Sequence, residues 1–396
     1  MLRRRLALLT CAGTVLTLTG LAPLADASEP VPLGVVRGAD NPRGIDGSYI
    51  VVLKKDAPSA RKGKAGQLTG KFGGKVHRTF SATLNGFTLE ATATQARQLA
   101  ADPSVAFVEQ NSVEYADTTQ SSPTWGLDRV DQANLPLSGS YTYSTKASNV
   151  TAYVIDSGIR ITHGNFGGRA GYGYDFVDDD SVADDCNGHG THTAGTVGSS
   201  TYGVAKGVKL VAVRVLDCSG SGTTANVIAG YEWVATHAQL PAVANVSIGG
   251  STSTAKDAAV AGMVDAGVTV AVSAGNNAVD ACDQSPAREP SVITVASTTN
   301  ADARSSFSNY GTCVDIFAPG SSITSLGYTS DTATAVKSGT SMATPHVTGA
   351  AALYLATHPS ASPATVTAAI KSAATSGVVT NAQTGSPNLL LNVNGL

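Results

Sequence analysis

Asp156, His189 and Ser341 are the residues of this 396-residue chain whose types could together transfer an acyl group. A serine hydroxyl is a weak nucleophile at neutral pH. It needs a neighbouring base, and the base needs a third group that fixes its tautomer and stabilises its cationic form. Asp156 directly follows the β-rich run 151–155 and precedes Ser157-Gly158. His189 lies in Asn187-Gly188-His189-Gly190-Thr191-His192, where small residues let a helix start close to neighbouring backbone. Ser341 lies in Gly339-Thr340-Ser341-Met342-Ala343, a glycine that permits a sharp turn followed by an apolar run that propagates a helix. Taken singly, each has a plainer reading: a turn-forming Asp, a histidine pair on one helical face sharing a metal, a serine N-cap. No acidic residue completes an H-E-x-x-H site around His189 and His192. Only the combination supplies nucleophile, base and orienting acid.

The elements that must position these residues follow from periodicity. From residue 125 onwards, the short apolar runs 150–155, 209–215, 242–248, 268–272 and 292–296 are β-rich. Between them, 223–237 and 255–266 space Val, Ile, Ala and Trp helically, and helices over 342–357 and 363–374 close the chain with no further domain expected. Near-continuous apolar strands separated by helices predict an α/β fold, a parallel sheet covered on both faces. Ligands of such sheets bind beyond the carboxyl ends of the strands, which is where Asp156 falls. Residues 48–116 follow another pattern: a strand at 49–53, a helix within the basic stretch 54–75, strands at 75–81 and 84–92, a helix at 94–101, and a strand from 105 towards 115. This β-α-β-β-α-β order is that of a ferredoxin-like α+β unit. The polar stretch 117–124 reads as an exposed, cleavable connector.

Composition narrows the function classes. The 26 Lys and Arg against 29 Asp and Glu leave a net charge of −3, and no like-charge run suggests a nucleic-acid partner, so that class is set aside. Arg3, Arg4 and Arg5, the apolar stretch 6–21 and Ala25-Asp26-Ala27 read as a secretory signal cut after Ala27. That stretch is too short and too broken by Thr and Gly to span a bilayer well, so no membrane association is expected after its removal. Cys11 leaves with it. Cys186, Cys218, Cys282 and Cys313 remain, and an even number in an exported chain points to disulfides. Three pairings are possible and nothing in the sequence selects among them. Cys186–Cys218 with Cys282–Cys313 is the expectation, each loop worth ~3–4 kcal/mol in the chain-entropy model. None of the four forms a C-x-x-C pair, which argues against zinc.

Val154-Ile155-Asp156-Ser157-Gly158, Gly188-His189-Gly190-Thr191-His192 and Gly339-Thr340-Ser341-Met342-Ala343-Thr344-Pro345 resemble the three signatures of the subtilisin superfamily. The order Asp…His…Ser agrees, and the serine segment lacks the second glycine of the G-x-S-x-G of α/β-hydrolases. Within the superfamily the chain is similar to the proteinase K family, aqualysin-like members most, from Trp125 to its end; Trp125-Gly126-Leu127-Asp128 and Ser305-Ser306-Phe307-Ser308-Asn309 support this. The unit before it resembles the inhibitory propeptide of these enzymes. The resemblance implies a signal peptide at 1–27, a propeptide at 28–117 with its inhibitor and chaperone domain from about 48, and a subtilisin-like catalytic domain at 118–396. It implies a secreted, extracellular, monomeric serine endopeptidase acting on proteins and peptides, made as a zymogen that cuts itself near 113–120 and is held by its own propeptide.

The resemblance also assigns further residues. Asn276 matches the oxyanion-hole asparagine, donating to the developing oxyanion beside the Ser341 N–H. Substrate would add as a strand between Ser219-Gly220-Ser221-Gly222 and Ser247-Ile248-Gly249-Gly250. Ser247 to Gly249 and Ser273-Ala274-Gly275 would line the pocket before the scissile bond; no charged residue lies there, so apolar or aromatic side chains are expected. Gln284 stands where close relatives usually carry Tyr, which leaves the depth and polarity of that pocket open. No cofactor is needed for the chemistry, but structural calcium is implied: at Pro290, Val292 and Asp315, and at Asp128, Asp131 and Gln132, oxygen ligands that suit this ion. Asp178, Asp179, Asp180, Asp184 and Asp185 read as a solvated loop rather than a third site. An inactive protease scaffold and an α/β-hydrolase esterase are the rival classes; no triad member is missing and the residue order is wrong for the second.

Overall fold

The computed structural model describes residues 32–39, 41, 44–113 and 118–396. The signal segment 1–27, Cys11 and the part of the cleavage region at 114–117 lie outside the described residues. The chain divides into two units, 1–114 and 115–396.

The amino-terminal unit runs β1 (Val36–Arg37), β2 (Gly44–Leu53), α1 (Lys64–Phe72), β3 (Lys75–Phe80), β4 (Gly86–Glu90), α2 (Ala93–Ala100) and β5 (Val105–Ser112). Its sheet has the order β1-β5-β2-β4-β3. Pairing is antiparallel except for β1 with β5, a two-residue strand too short to leave a pattern in the sequence. Tyr49, Val51 and Leu53 alternate inward along β2 and meet Leu68 of α1, Leu99 of α2, Phe87 and Val108 in one core. A capping box starts α2: the Thr92 hydroxyl accepts from Gln95 N–H while the Gln95 side chain accepts from Thr92 N–H.

The second unit begins with β6 (Thr118–Ser121), α3 (Trp125–Val130), β7 (Ser140–Tyr143), β8 (Thr151–Asp156) and β9 (Ala170–Asp175). It continues with α4 (His189–Gly198), β10 (Lys209–Arg214), α5 (Thr224–His237), β11 (Ala242–Val246), β12 (Gly250–Ser251) and α6 (Thr254–Asp265). Then come β13 (Thr269–Ser273), β14 (Gln284–Ser285), β15 (Ile293–Thr298), β16 (Ile316–Pro319), β17 (Ile323–Leu326) and β18 (Thr334–Lys337). It closes with α7 (Thr340–Thr357), α8 (Pro363–Ala373), β19 (Thr375–Ser376) and β20 (Leu389–Leu390). The main sheet has the order β19-β20-β16-β15-β13-β11-β8-β10-β9 and is parallel apart from β19.

Both faces of this sheet are covered. Ala152 and Val154 of β8 join a core with Ala194 and Val197 of α4, Val347 of α7 and Ile370 of α8. Tyr153 and Ile155 point the other way, to Val227 and Tyr231 of α5 and Val260 of α6. That two-sided burial makes the central strands continuously apolar. Other strands carry no such plain pattern. β9 interleaves glycines, and at Gly173 a Cβ would stand 2.8 Å from the Trp233 ring. β16 ends in Pro319, and β6 lies inside the stretch read as a connector. Thr118–Ser121 is largely exposed but pairs antiparallel with Ser140–Tyr143, so part of that connector is a paired strand.

Candidate active site

Asp156 ends β8 and is fully buried. Its Oδ1 accepts from Ser157 N–H at 2.8 Å and lies 2.7 Å from Nδ1 of His189, and its Oδ2 accepts from Thr193 Oγ1 at 3.3 Å. A carboxylate only accepts, so Nδ1 carries the proton and Nε2 of the neutral ring is a free base. His189 opens α4 directly after Gly188, and the turn is tight: a Cβ on Gly190 would run into the Gly158 carbonyl. Burial pulls the His189 pKa down, but the charge and hydrogen bond of Asp156 outweigh it and the net displacement is upward. His192 turns away. Its Nε2 faces the carbonyls of Ile323 at 3.0 Å and Ala335 at 3.2 Å, and burial lowers its pKa to about 4. The histidine pair therefore does not converge on a metal.

Ser341 stands in the first turn of α7, the helix that packs on α4. Pro345 has no N–H for the Ser341 carbonyl four residues earlier. Ser247 Oγ donates to that carbonyl instead, at 2.9 Å, and Ser341 Oγ donates to the Ser247 carbonyl at 3.1 Å. The hydroxyl is thus turned to Ser247 and makes no hydrogen bond to His189. Asn276 Oδ1 accepts from Thr340 N–H at 2.7 Å and from Thr340 Oγ1 at 3.1 Å. With the oxygen so engaged, the amide nitrogen is the free end. Among the described residues neither that NH2 nor the Ser341 N–H donates to an acceptor.

The segments expected to receive substrate fare differently. Ser247 is buried, while Ile248 is half-buried and Gly249 exposed. Ser273 ends β13, Ala274 donates its N–H to Val295, and Gly275 takes φ +103°. Gln284 approaches Gly275: its Cγ stands 3.6 Å from where a Cβ would be. Lys256, a buried charge not foreseen near this pocket, brings Nζ to 3.4 Å from the Cβ position of Gly250. Ser219-Gly220-Ser221 folds into a turn on Asp217, whose carboxylate accepts from the N–H of Ser219 and Ser221. Asp217 N–H also donates to the Ser221 carbonyl. The main-chain groups of Ser221 are therefore already engaged, and Gly222, beside a cleft of about 380 Å³ that also touches Val177 and Asn226, has no main-chain partner among the described residues.

Cys186 is bonded to Cys218 and Cys282 to Cys313. Of the two candidate calcium sites, the one on α3 leaves one carboxylate oxygen open, while both oxygens of Asp128 already accept from Ser138 and Gly139. Asp128 and Asp131 lie close enough for the charge of one to disfavour ionisation of the other, and Asp131 Oδ1 is buried without a partner. Burial, with the nearby Asp128 charge, raises the Asp131 pKa to about 6. Gln132 is committed elsewhere through Oε1, which accepts from Ser138 N–H at 2.8 Å. The Asp315 site fits poorly. Its oxygens accept from Thr294 N–H at 3.0 Å and from the Lys371 ammonium at 2.9 Å, so a cation already faces the carboxylate expected to join the Pro290 and Val292 carbonyls.

Several contributing residues escaped the sequence. Asn309 Oδ1 accepts from Asn277 and Val279 while its Nδ2 donates to the Ala274 carbonyl, shaping the loop that carries Asn276. Thr340 orients Asn276. Asp178, Asp179, Asp180 and Asp184 are exposed as expected of a solvated loop, but Asp185 is not: it is 6% exposed. Its position four residues before the histidine is the one local signal that could have singled it out.

Residues 147–390 match the profile of the subtilase family, and residues 48–116 that of peptidase inhibitor I9. The extracellular serine proteinase of Thermus sp. (strain Rt41A) is 49% identical over 396 residues, 95% of this chain and 96% of that protein. The alkaline serine exoprotease A of Vibrio alginolyticus is 47% identical over 385 residues, 93% of this chain and 71% of that protein. The solved structure of a cold adapted subtilisin-like serine proteinase is 55% identical, with a TM-score of 0.68, covering 69% of this chain and 99% of that one.

Proposed function

The chain belongs to the subtilase family and carries an I9 inhibitor unit, and from that premise we propose a secreted serine endopeptidase that works through Asp156, His189 and Ser341. The observation that carries this reading is the buried Asp156 carboxylate 2.7 Å from Nδ1 of His189, with Ser341 on the helix packed against α4. When substrate enters, the Ser341 hydroxyl leaves the Ser247 carbonyl and gives its proton to Nε2 as it attacks the scissile carbonyl carbon. Asp156 stabilises the imidazolium that forms. The oxyanion is met by the Ser341 N–H and the free amide nitrogen of Asn276. The imidazolium then protonates the departing amine, and water, activated by the same ring, hydrolyses the acyl-enzyme.

Ile248, Ala274 and the glycines around them support a preference for apolar or aromatic side chains before the scissile bond, with Gln284 and Lys256 adding polarity at its edge. A calcium ion held by Asp128 and Asp131 would relieve their mutual repulsion and so brace α3. Secretion is supported by the amino-terminal signal pattern and the two disulfides. The I9 unit supports synthesis as an inhibited zymogen that cuts itself between 113 and 120.

Casein and a short ester, assayed side by side with and without a serine-directed inhibitor, test the reading together with Ser341→Ala. Casein hydrolysis abolished by the inhibitor, and an uncleaved Ser341→Ala precursor, are expected. Normal maturation of that variant would refute self-processing, and activity on the ester alone would refute the peptidase.

A further inference from the structure

Asp185 belongs to none of the roles above, yet it is the most heavily hydrogen-bonded carboxylate near the imidazole. Its Oδ1 accepts from Ser157 Oγ at 2.9 Å, Asn187 N–H at 2.9 Å and Gly188 N–H at 2.7 Å. Its Oδ2 accepts from Thr191 N–H at 2.9 Å and Thr191 Oγ1 at 2.6 Å. Ser157 Oγ in turn accepts from Gly190 N–H at 3.0 Å. No cation pairs with this carboxylate among the described residues. Its charge is held by five donors, one of them the Thr191 N–H in the first turn of α4, where the helix dipole favours a negative neighbour.

These bonds join two pieces of chain that share no sequence neighbourhood: Ser157, directly after Asp156, and residues 187–191, which bracket His189. We propose that Asp185 is a positioning residue of the catalytic machinery, whose buried carboxylate straps the exit of β8 to the first turn of α4 and so holds Asp156 and His189 in contact. The inference rests on the triad reading and deepens it. A strap of this kind matters because the Asp–His distance sets how well the base is oriented, and small misplacements of a catalytic group are costly. The carboxylate has a second effect through its charge. Asp156 from β8 and Asp185 both favour the imidazolium, Lys337 from β18 opposes it, and His192, one turn along α4, is held neutral by its burial. Asp185 therefore also stabilises the cation that His189 becomes in the transition state.

Asp185→Asn keeps the size and one acceptor oxygen but loses the charge and the acceptance from Thr191. Mature enzyme is counted by titration with an irreversible serine-directed inhibitor, and kcat, KM and the pH profile are read on a peptide anilide. We expect kcat to fall roughly ten- to hundredfold with KM within about twofold, and the acidic limb of kcat/KM to move down by roughly half a pH unit or more. Ser157→Ala, which cuts the strap and keeps the charge, should lower kcat without moving the limb. A lowered kcat with an unmoved limb in Asp185→Asn would mean a purely structural role and overturn the inference. If Asp185→Asn does not mature, an unchanged kcat in Ser157→Ala overturns it. A wild type indifferent to the inhibitor would instead sink the triad reading itself, so the two failures are distinguishable.

Discussion

Thr340 offers a test of how the Asn276 amide is aimed. Its N–H and its hydroxyl both donate to Asn276 Oδ1, at 2.7 and 3.1 Å, and the hydroxyl also accepts from Gly275 N–H at 3.2 Å. Thr340→Val keeps the shape and the backbone donor and deletes only the hydroxyl. Complete loss of the Asn276 donor sets the ceiling; the corresponding donor of subtilisin is known to be worth about 10²–10³ in turnover. Here the shorter of two anchors survives, so the loss should be that of one neutral hydrogen bond, about 1 kcal/mol, or roughly fivefold in kcat. KM should hold, because in the proposed mechanism the amide meets an oxygen whose charge develops only in the transition state. The assay is a double-mutant cycle on a peptide anilide with Thr340→Val, Asn276→Ala and both. If the hydroxyl acts through Asn276, its cost vanishes once Asn276 is gone, leaving a coupling of about 1 kcal/mol. A fivefold loss that persists in the Asn276→Ala background refutes the reasoning, as does a change in KM alone.

Two more perturbations address stability. His192 and His346 are buried, and burial lowers each pKa from 6.5 to about 4, so both are neutral in the fold. Their contribution is complete above the unfolded value of about 6.5 and disappears as pH falls towards about 4, on the order of 3 kcal/mol for each. Denaturant midpoints of inhibitor-inactivated enzyme should drop steeply across that window, and a flat midpoint down to pH 4 would contradict it. The α3 site predicts that a chelator lowers the thermal midpoint and that Asp131→Asn abolishes the response; a calcium concentration a hundredfold above Kd is worth about 2.7 kcal/mol. Because a proton competes for Asp131, whose pKa is raised to about 6, the calcium effect should fade as pH drops through that value. A wild type insensitive to chelation, or a variant as sensitive as the wild type, would dismiss the site.

Much of this was readable from the linear chain. β8, β10, β11 and β13 are buried on both faces, and that burial writes itself as runs of Val, Ile and Ala bounded by turn residues. The ends of those strands and the glycine-flanked helix starts then mark where Asp156, His189 and Ser341 stand. β9 and β16 were not readable, because Gly173 serves the distant Trp233 ring and Pro319 falls where the strand ends. Ser219 to Gly222 is expected to flank the substrate strand, but Asp217 claims the N–H groups of Ser219 and Ser221.

Composition, periodicity and three short motifs determined the two-unit architecture and the candidate triad, since both are recorded in local patterns. Tertiary closure alone decided that Asp185 is buried beneath α4 while Asp184 beside it stays exposed, that Lys371 faces Asp315, and that Asn309 shapes the Asn276 loop. The reason is physical. A side chain's propensity belongs to its own stretch of chain, whereas the state of a carboxylate or an amide depends on which donors, acceptors and charges the fold brings within about 3 Å of it.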